Sequence, residues 1–400
     1  MQATASDQTN LASRVLTSFK LSSLDNAVDR RNLKIIALLF AALAATTYAV
    51  GWLAWKTYGL PKDAPTSLTH TIFDRWDVLN YVLIAENGYG ASEHHVVWFP
   101  AMPGLMRLGD YVGIAPWLTG TVVILACALV LTLAFYALSR LDFAPGVSRD
   151  ATIFLLVFPT CFFLFVPYTE AMLLVLVVAS FYCARQGHWM LAAVLAGLAS
   201  GVRITGLFIG PALLVEYLHQ KEWRWREVRP DIAWLALAPA GLMVFMAYLW
   251  VQFDNPLEWY DRQFDFPRLE TEETKGGVIR FIPSLIEEVR LIWDSPVFGE
   301  QVQNGGGAIG LAVFIALFAG MLYFRLRPSY IAFAAMAGFI PLMAGRLESV
   351  NRYIIAAFPM FMVMGLIVER WPAVKTPLIA VFLGFFFLLV VRFSTYEWAG

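Results

Sequence analysis

Residues 116–139 read PWLTGTVVILACALVLTLAFYALS, with no charged side chain in the run. Crossing a bilayer as a helix takes roughly 17–25 apolar residues, so this stretch is long enough to span one. Comparable runs recur near 34–55, 150–166, 168–184, 189–203, 205–219, 233–253, 306–325, 329–345, 353–369 and 376–392. They predict an all-α polytopic membrane protein of about 11 transmembrane helices. Residues 97–113 add a shallow helix that does not fully cross.

Composition agrees. Of the 400 residues, 59% are hydrophobic and 15% charged, and mean hydropathy is +0.63. A soluble domain carries about 25% charged residues. The net charge of −1 gives no sign of a nucleic-acid partner, and none is expected. Cys127, Cys161 and Cys183 sit inside apolar runs and read as small packing residues. Residues 1–33 are polar and read as a cytoplasmic arm, without the short apolar core of a cleavable signal peptide. One transmembrane domain then covers 34–392, with outer loops at about 56–96 and 254–304 that carry short amphipathic helices, and 393–400 form an outer tail.

Orientation follows from the basic residues beside the spans. Arg30, Arg31 and Lys34 precede the first span, and Lys221, Arg224, Arg226 and Arg229 share one short loop. Arg325, Arg327, Arg370 and Lys375 flank later spans. An odd number of crossings places all of these on the cytoplasmic side. The two long loops and the turns at Tyr168-Thr169-Glu170, Arg203-Ile204-Thr205 and Arg346 to Arg352 then face outward. The unusual polar residues converge on that outer face.

The densest polar stretch is Phe73-Asp74-Arg75-Trp76-Asp77-Val78-Leu79-Asn80-Tyr81. Val78 to Glu86 fits a short amphipathic helix, with Asp77 as its N-cap and Gly88 as its stop. Capping explains Asp77 from local pattern alone. A carboxylate held beside the membrane, with Trp76 shaping its surroundings, could also accept a proton from a substrate hydroxyl. The two roles are compatible, and Asp74 is the rival carboxylate. Val97-Trp98-Phe99-Pro100-Ala101-Met102-Pro103-Gly104 reads first as a membrane re-entry turn. Glu93-His94-His95 lacks a third ligand, so no metal site is expected there.

Arg203 and Arg352 stand between or beside apolar runs. Ionisable groups at membrane depth usually face a cavity or a partner, and Arg matches phosphate oxygens well. Snorkelling, or pairing with Glu170 or Glu348, explains them equally. Trp259, Tyr260, Arg262 and Phe264, followed by an amphipathic stretch around 279–293, suit an interfacial anchor first and a sugar or lipid headgroup second.

Five stretches in order resemble the PIG-V-type mannosyltransferases, GT-C glycosyltransferases that act on the GPI anchor, and their bacterial relatives. They are Trp76-Asp77 through Ile84-Ala85 to Gly88-Tyr89, then Phe99-Pro100 with Pro103, then Phe158-Pro159 with Pro167-Tyr168-Thr169-Glu170. Arg203-Ile204-Thr205-Gly206 with Pro211 and Glu216-Tyr217 follows, and Asn351-Arg352-Tyr353 with Phe358-Pro359 completes the set. Asn80 and Ala101-Met102 depart from the pattern and bear on the acceptor more than on the reaction class.

The resemblance implies a GT-C-like fold and a polyprenyl-phosphate-linked sugar donor, with mannose the expected sugar. It also implies a catalytic Asp in the first outer loop, which falls on Asp77. Physical reasoning adds Arg203 and Arg352 as the cradle for the departing lipid phosphate. Substrate contacts are expected at Trp76, Tyr81, Tyr168, Glu170, Asn351 and Tyr353. In-line attack with a single carboxylate inverts the anomeric centre. No cofactor or obligatory metal is expected. The acceptor is a glycan or glycolipid hydroxyl of open identity. The site would face outward from a bacterial plasma membrane, or into the ER lumen in a eukaryote. The competing classes are a transporter or flippase of a lipid-linked saccharide and a non-catalytic subunit on the same fold. A transporter commonly shows internal repeats and midplane helix breaks, and no repeat is visible here.

Overall fold

The structure is a computed structural model that describes residues 26–59, 75–262, 298–342 and 350–397, together with 290 and 294. Among these residues there are helices and turns and no strand. Chain order gives α1 (Ala27–Tyr58), α2 (Asp77–Asn87), α3 (Ala101–Tyr111), α4 (Pro116–Ser139), α5 (Pro145–Val157), α6 (Glu170–Arg185), α7 (Trp189–Val202) and α8 (Ile209–Gln220). There follow α9 (Ala240–Phe253), α10 (Glu258–Asp261), α11 (Phe298–Tyr323), α12 (Pro328–Leu342), α13 (Val350–Ile354), α14 (Pro359–Arg370) and α15 (Lys375–Ser394).

The amphipathic stretch at 279–293 lies outside the described residues, apart from Arg290. The arm expected over 1–33 gives way to helix sooner than anticipated. α1 begins at Ala27 because Asn26 caps it, its side chain accepting from the Asp29 amide at 2.8 Å. Buried Asn32 then ties α1 to α4 and the start of α5, donating to Tyr136 at 3.0 Å and to the Pro145 carbonyl at 3.1 Å.

Full-length spans are fewer than the apolar runs suggested. Among the described residues, three helical stretches are long and apolar enough to cross a membrane: 27–58, 116–139 and 372–394. A bent pair, Pro230–Leu237 with Ala240–Phe253, makes a fourth if it counts as one span. Of the other expected spans, 168–184, 189–203 and 329–345 are single helices of 16, 14 and 15 residues, 306–325 falls largely within the unbroken α11, and 150–166, 205–219 and 353–369 are interrupted. Pro159 ends α5 and starts a 3-10 segment over Pro159–Leu164. Arg203 adopts an extended backbone that separates α7 from the 3-10 turn Ile204–Phe208. Pro359 divides α13 from α14. A proline ring removes an amide donor and clashes with the preceding turn, so apolar character alone cannot carry a helix through it. Broken backbone at membrane depth is tolerated where protein buries it. Phe162, Phe163, Phe165 and Tyr168 around these breaks are fully buried.

α6 packs against α7 and α4, α5 packs against α14, and α8 packs against α12. α7 and α9 approach through glycines, since a Cβ on Gly241 would overlap the Gly197 carbonyl oxygen. Apolar side chains such as Leu38, Val122, Val130, Val244 and Val251 are exposed on α1, α4 and α9. Such surface is what lipid covers, and the chain is a helical membrane protein.

Candidate functional site

α2 starts abruptly. Trp76 holds a left-handed backbone with φ of 46°. A bulky residue there is strained and needs support from its surroundings. Its ring stacks on Tyr396 at 5.1 Å and 3° and meets Phe393 at 5.0 Å. The expected cap is thereby corrected, since Trp76 occupies the N-cap and Asp77 is the first helical residue. Asp77 is instead turned to other partners. Its Oδ1 accepts from the Trp98 indole at 3.2 Å, and its Oδ2 accepts from Arg352 Nη1 at 2.7 Å. Gly88 does end the helix, with φ of 76°.

Arg352, on α13, has a side chain only 5% exposed. Its guanidinium lies over Tyr168 at 5.2 Å and Tyr353 at 5.4 Å, and its Nε is 3.2 Å from Glu170 Oε1. Arg203 reaches the same oxygen from the end of α7. Its Nη1 donates to Glu170 Oε1 at 2.7 Å, and its guanidinium faces Tyr353 at 4.8 Å. Glu170 is the first residue of α6, where the helix dipole favours a carboxylate. Its other oxygen, Oε2, is buried and accepts no hydrogen bond. A narrow crevice beside it is lined by Glu170, Arg203, Thr205, Arg352 and Tyr353 among others.

Burial raises the proton affinity of Asp77, but Arg352 and then Arg203 outweigh it and hold the carboxyl below the ordinary carboxylate range. Asp77 is therefore ionised at neutral pH. Tyr81 lies one turn along α2 and is buried. Its hydroxyl is driven well above the usual range, first by burial and then by the charge of Asp77.

Asp77, Arg203, Arg352, Glu170, Tyr168 and Tyr353 thus meet in one cluster, although they come from segments far apart in the chain. Tyr168 packs beneath it and donates to the Arg75 carbonyl at 3.4 Å. Trp76 braces the start of α2. Asp74 lies outside the described residues, and so does the side chain of Asn351. Arg262 binds Glu93 at 2.9 Å and Glu258 at 2.8 Å, so it ties two outer segments together. Among the described residues, no three His, Cys, Asp or Glu side chains converge as a metal cluster.

Two features of the structure are not visible in the sequence. Trp98 lies in a stretch that reads as a re-entry turn, yet its indole donates to Asp77. A second polar network lies at the other end of α6. There Arg185 binds Asp142 at 2.6 Å and Tyr330 at 2.9 Å, and Arg327 binds Glu216 at 2.8 Å. Arg327 reads as an ordinary flanking charge and Glu216 as one residue of a motif, so nothing in the sequence joins them into a network.

Comparison with known proteins adds the family. No curated protein matches the chain. Among solved structures, the oligosaccharyltransferase of Archaeoglobus fulgidus in its apo form aligns with a TM-score of 0.48 and 12% identity. That alignment covers 90% of this chain and 56% of the other. The same enzyme in complex with Zn and sulfate aligns with a TM-score of 0.45 and 14% identity, over 92% and 53%. The chain therefore spans about half the length of these structures. The model of Glycosyltransferase family 87 matches residues 96–345. That segment contains Trp98, Glu170 and Arg203, while Asp77 and Arg352 lie outside it. With well over half its length inside the match, the chain belongs to glycosyltransferase family 87.

Proposed function

We propose that this glycosyltransferase moves mannose from a polyprenyl-phosphate donor to an acceptor hydroxyl, with inversion, on the outer face of a bacterial plasma membrane. The observation that carries the reading is the convergence of one ionised carboxylate, Asp77, with two arginines, Arg203 and Arg352. The architecture we assign is GT-C-like, and the motif order resembles that of PIG-V-type mannosyltransferases.

In this reading Asp77 accepts the proton of the acceptor hydroxyl as its oxygen bonds to the anomeric carbon. The bond from that carbon to the lipid phosphate breaks, and its electron pair stays on the phosphate oxygen. The leaving phosphate gains one negative charge, which Arg203 and Arg352 can match with hydrogen bonds in a partly dry site. Trp98 keeps Asp77 aimed. Tyr81, Tyr168, Tyr353, Trp76 and Asn351 complete the expected substrate surroundings. A monophosphate leaving group does not demand a divalent ion in the way a nucleotide diphosphate does, so the mechanism needs no metal.

The test is transfer by the purified protein with polyprenyl-phosphate-mannose, with and without a chelator. Expected is turnover that survives EDTA and is absent with GDP-mannose alone. Loss of activity in EDTA that Mg²⁺ or Mn²⁺ restores would reject the metal-free mechanism. Direct use of GDP-mannose would reject the donor.

A further inference from the structure

We propose that Glu170 is a displaceable counterion. It holds Arg203 and Arg352 ready for the donor phosphate, and its charge limits how tightly that phosphate stays bound. The proposal rests on the phosphate-donor reading above and assigns Glu170 a positioning role within it.

Among the described residues, Asp77, Glu170, Arg203 and Arg352 form the cluster, and their charges cancel. Both arginines meet at a single oxygen, Glu170 Oε1, at 2.7 and 3.2 Å. Both also face the ring of Tyr353. Two like charges this close in a poorly solvated place need an anion between them. Asp77 is already committed through both of its oxygens, to Trp98 and to Arg352. Glu170 is committed through one. Its Oε2 is buried without a hydrogen bond, and the Thr205 hydroxyl on the same crevice is also buried without one. Buried polar atoms left in this way are costly unless something later satisfies them.

The crevice is about 10 Å³, room for one water, so a phosphate enters by pushing the Glu170 carboxylate aside, and it then offers several oxygens to the guanidinium forks and an acceptor to Thr205. To bind, it must compete with Glu170 Oε1. Once it is bound, the cluster is no longer neutral, and the charge of Glu170 opposes the ligand. That opposition grows when the phosphate gains a second negative charge on leaving the sugar, which favours departure of the spent lipid.

Polyprenyl phosphate and uncharged polyprenol of equal length serve as probes, with the full chain in lipid nanodiscs. Glu170→Gln should bind polyprenyl phosphate at least about tenfold more tightly than wild type and leave polyprenol binding unchanged. Glu170→Asp keeps the charge and should stay within about threefold of wild type. In Glu170→Gln a single turnover should persist while steady-state turnover slows. Weaker phosphate binding in Glu170→Gln, or equal loss in both variants, overturns the proposal. Should Glu170→Gln fail to fold, wild type carrying carboxyl-labelled ¹³C-glutamate replaces it. Adding polyprenyl phosphate must then shift a glutamate carboxylate band in the infrared difference spectrum, and no shift overturns the proposal. A wild type that binds the two lipids equally rejects the donor reading itself, and the proposal with it.

Discussion

Replacing Asp77 with Asn tests the central assignment while disturbing little else. The amide oxygen can still accept from the Trp98 indole, which lies 3.2 Å from Oδ1. The negative charge facing Arg352 is lost. Orphaning a fully buried ion typically costs about 3–5 kcal/mol. Arg352 is not orphaned here, because Glu170 remains 3.2 Å away and the Tyr168 ring lies beneath it. Asp77 itself is 21% exposed along its side chain. The expected loss of stability is therefore smaller, about 1–2 kcal/mol. Catalysis should fall much further, by about 10²–10⁴ in rate, which corresponds to about 3–5 kcal/mol in the barrier.

The assay pairs mannosyl transfer with thermal unfolding of the same preparation. Asp74→Asn should be milder. Wild-type kcat/KM adds a pH signature. Arg352 and Arg203 outweigh burial and depress the proton affinity of Asp77, so the base stays ionised down through the ordinary carboxylate value of about 4. The acid limb should lie below that value. The stability contributed by Asp77 is likewise present above the ordinary carboxylate range and is lost only as pH falls through the lowered one. An active Asp77→Asn beside a dead Asp74→Asn, or an acid limb near pH 6 abolished by Asp77→Asn, would refute the reasoning.

Arg203→Lys and Arg352→Lys should each raise KM for a polyprenyl-phosphate donor and rescue poorly relative to Ala, because an ammonium cannot form the two-pronged bond; steady-state kinetics checks this. Gly241→Ala should destabilise the α7–α9 contact by about 1–3 kcal/mol, read as a lowered melting temperature, because its methyl would meet the backbone of Gly197 and Gly201. Single cysteines placed at Asp77 and Lys221 should label from opposite sides of intact cells, and labelling from the same side would overturn the orientation.

Much of the helical plan was legible because hydropathy has a clear physical source. The uncharged run at 116–139 is α4 from end to end, and the run at 376–392 lies within α15. What hydropathy does not register is continuity. Residues 150–166 and 353–369 are apolar throughout their middles, yet Pro159 and Pro359 divide them. The candidate site was legible as residue types out of place: a carboxylate beside Trp76 and arginines against apolar runs. Their mutual arrangement was not, because the Asp77–Arg352 pair joins residues 275 positions apart. Trp98 escaped for a related reason. An indole beside two prolines explains itself locally as part of a membrane re-entry turn, and only the fold reveals that its N–H points to Asp77.

The two ends of α6 give the molecule a division of labour. Glu170 opens the helix and Arg185 closes it, each with the sign that the helix dipole favours at its end. At the Arg185 end the network is closed. Glu216 is buried and accepts from Arg327 at 2.8 Å, from Gln220 at 2.9 Å and from Ser329. Asp142 accepts from both Arg185 and Tyr330. This end joins α6, α8 and α12 to the turn after α4. At the Glu170 end, one carboxylate oxygen and the Thr205 hydroxyl remain buried without hydrogen bonds. A closed network resists rearrangement, whereas an incomplete one can exchange partners when a ligand arrives. The far end should therefore act on folding and not on turnover. Glu216→Gln keeps the shape of the side chain but removes the charge shared by Arg327 and Arg185, and it should cost about 1–3 kcal/mol of stability. The variant should melt earlier in detergent, while kcat and KM of the protein that remains folded stay near wild type. A Glu216→Gln protein that melts like wild type but turns over slowly would show that this end takes part in the reaction cycle.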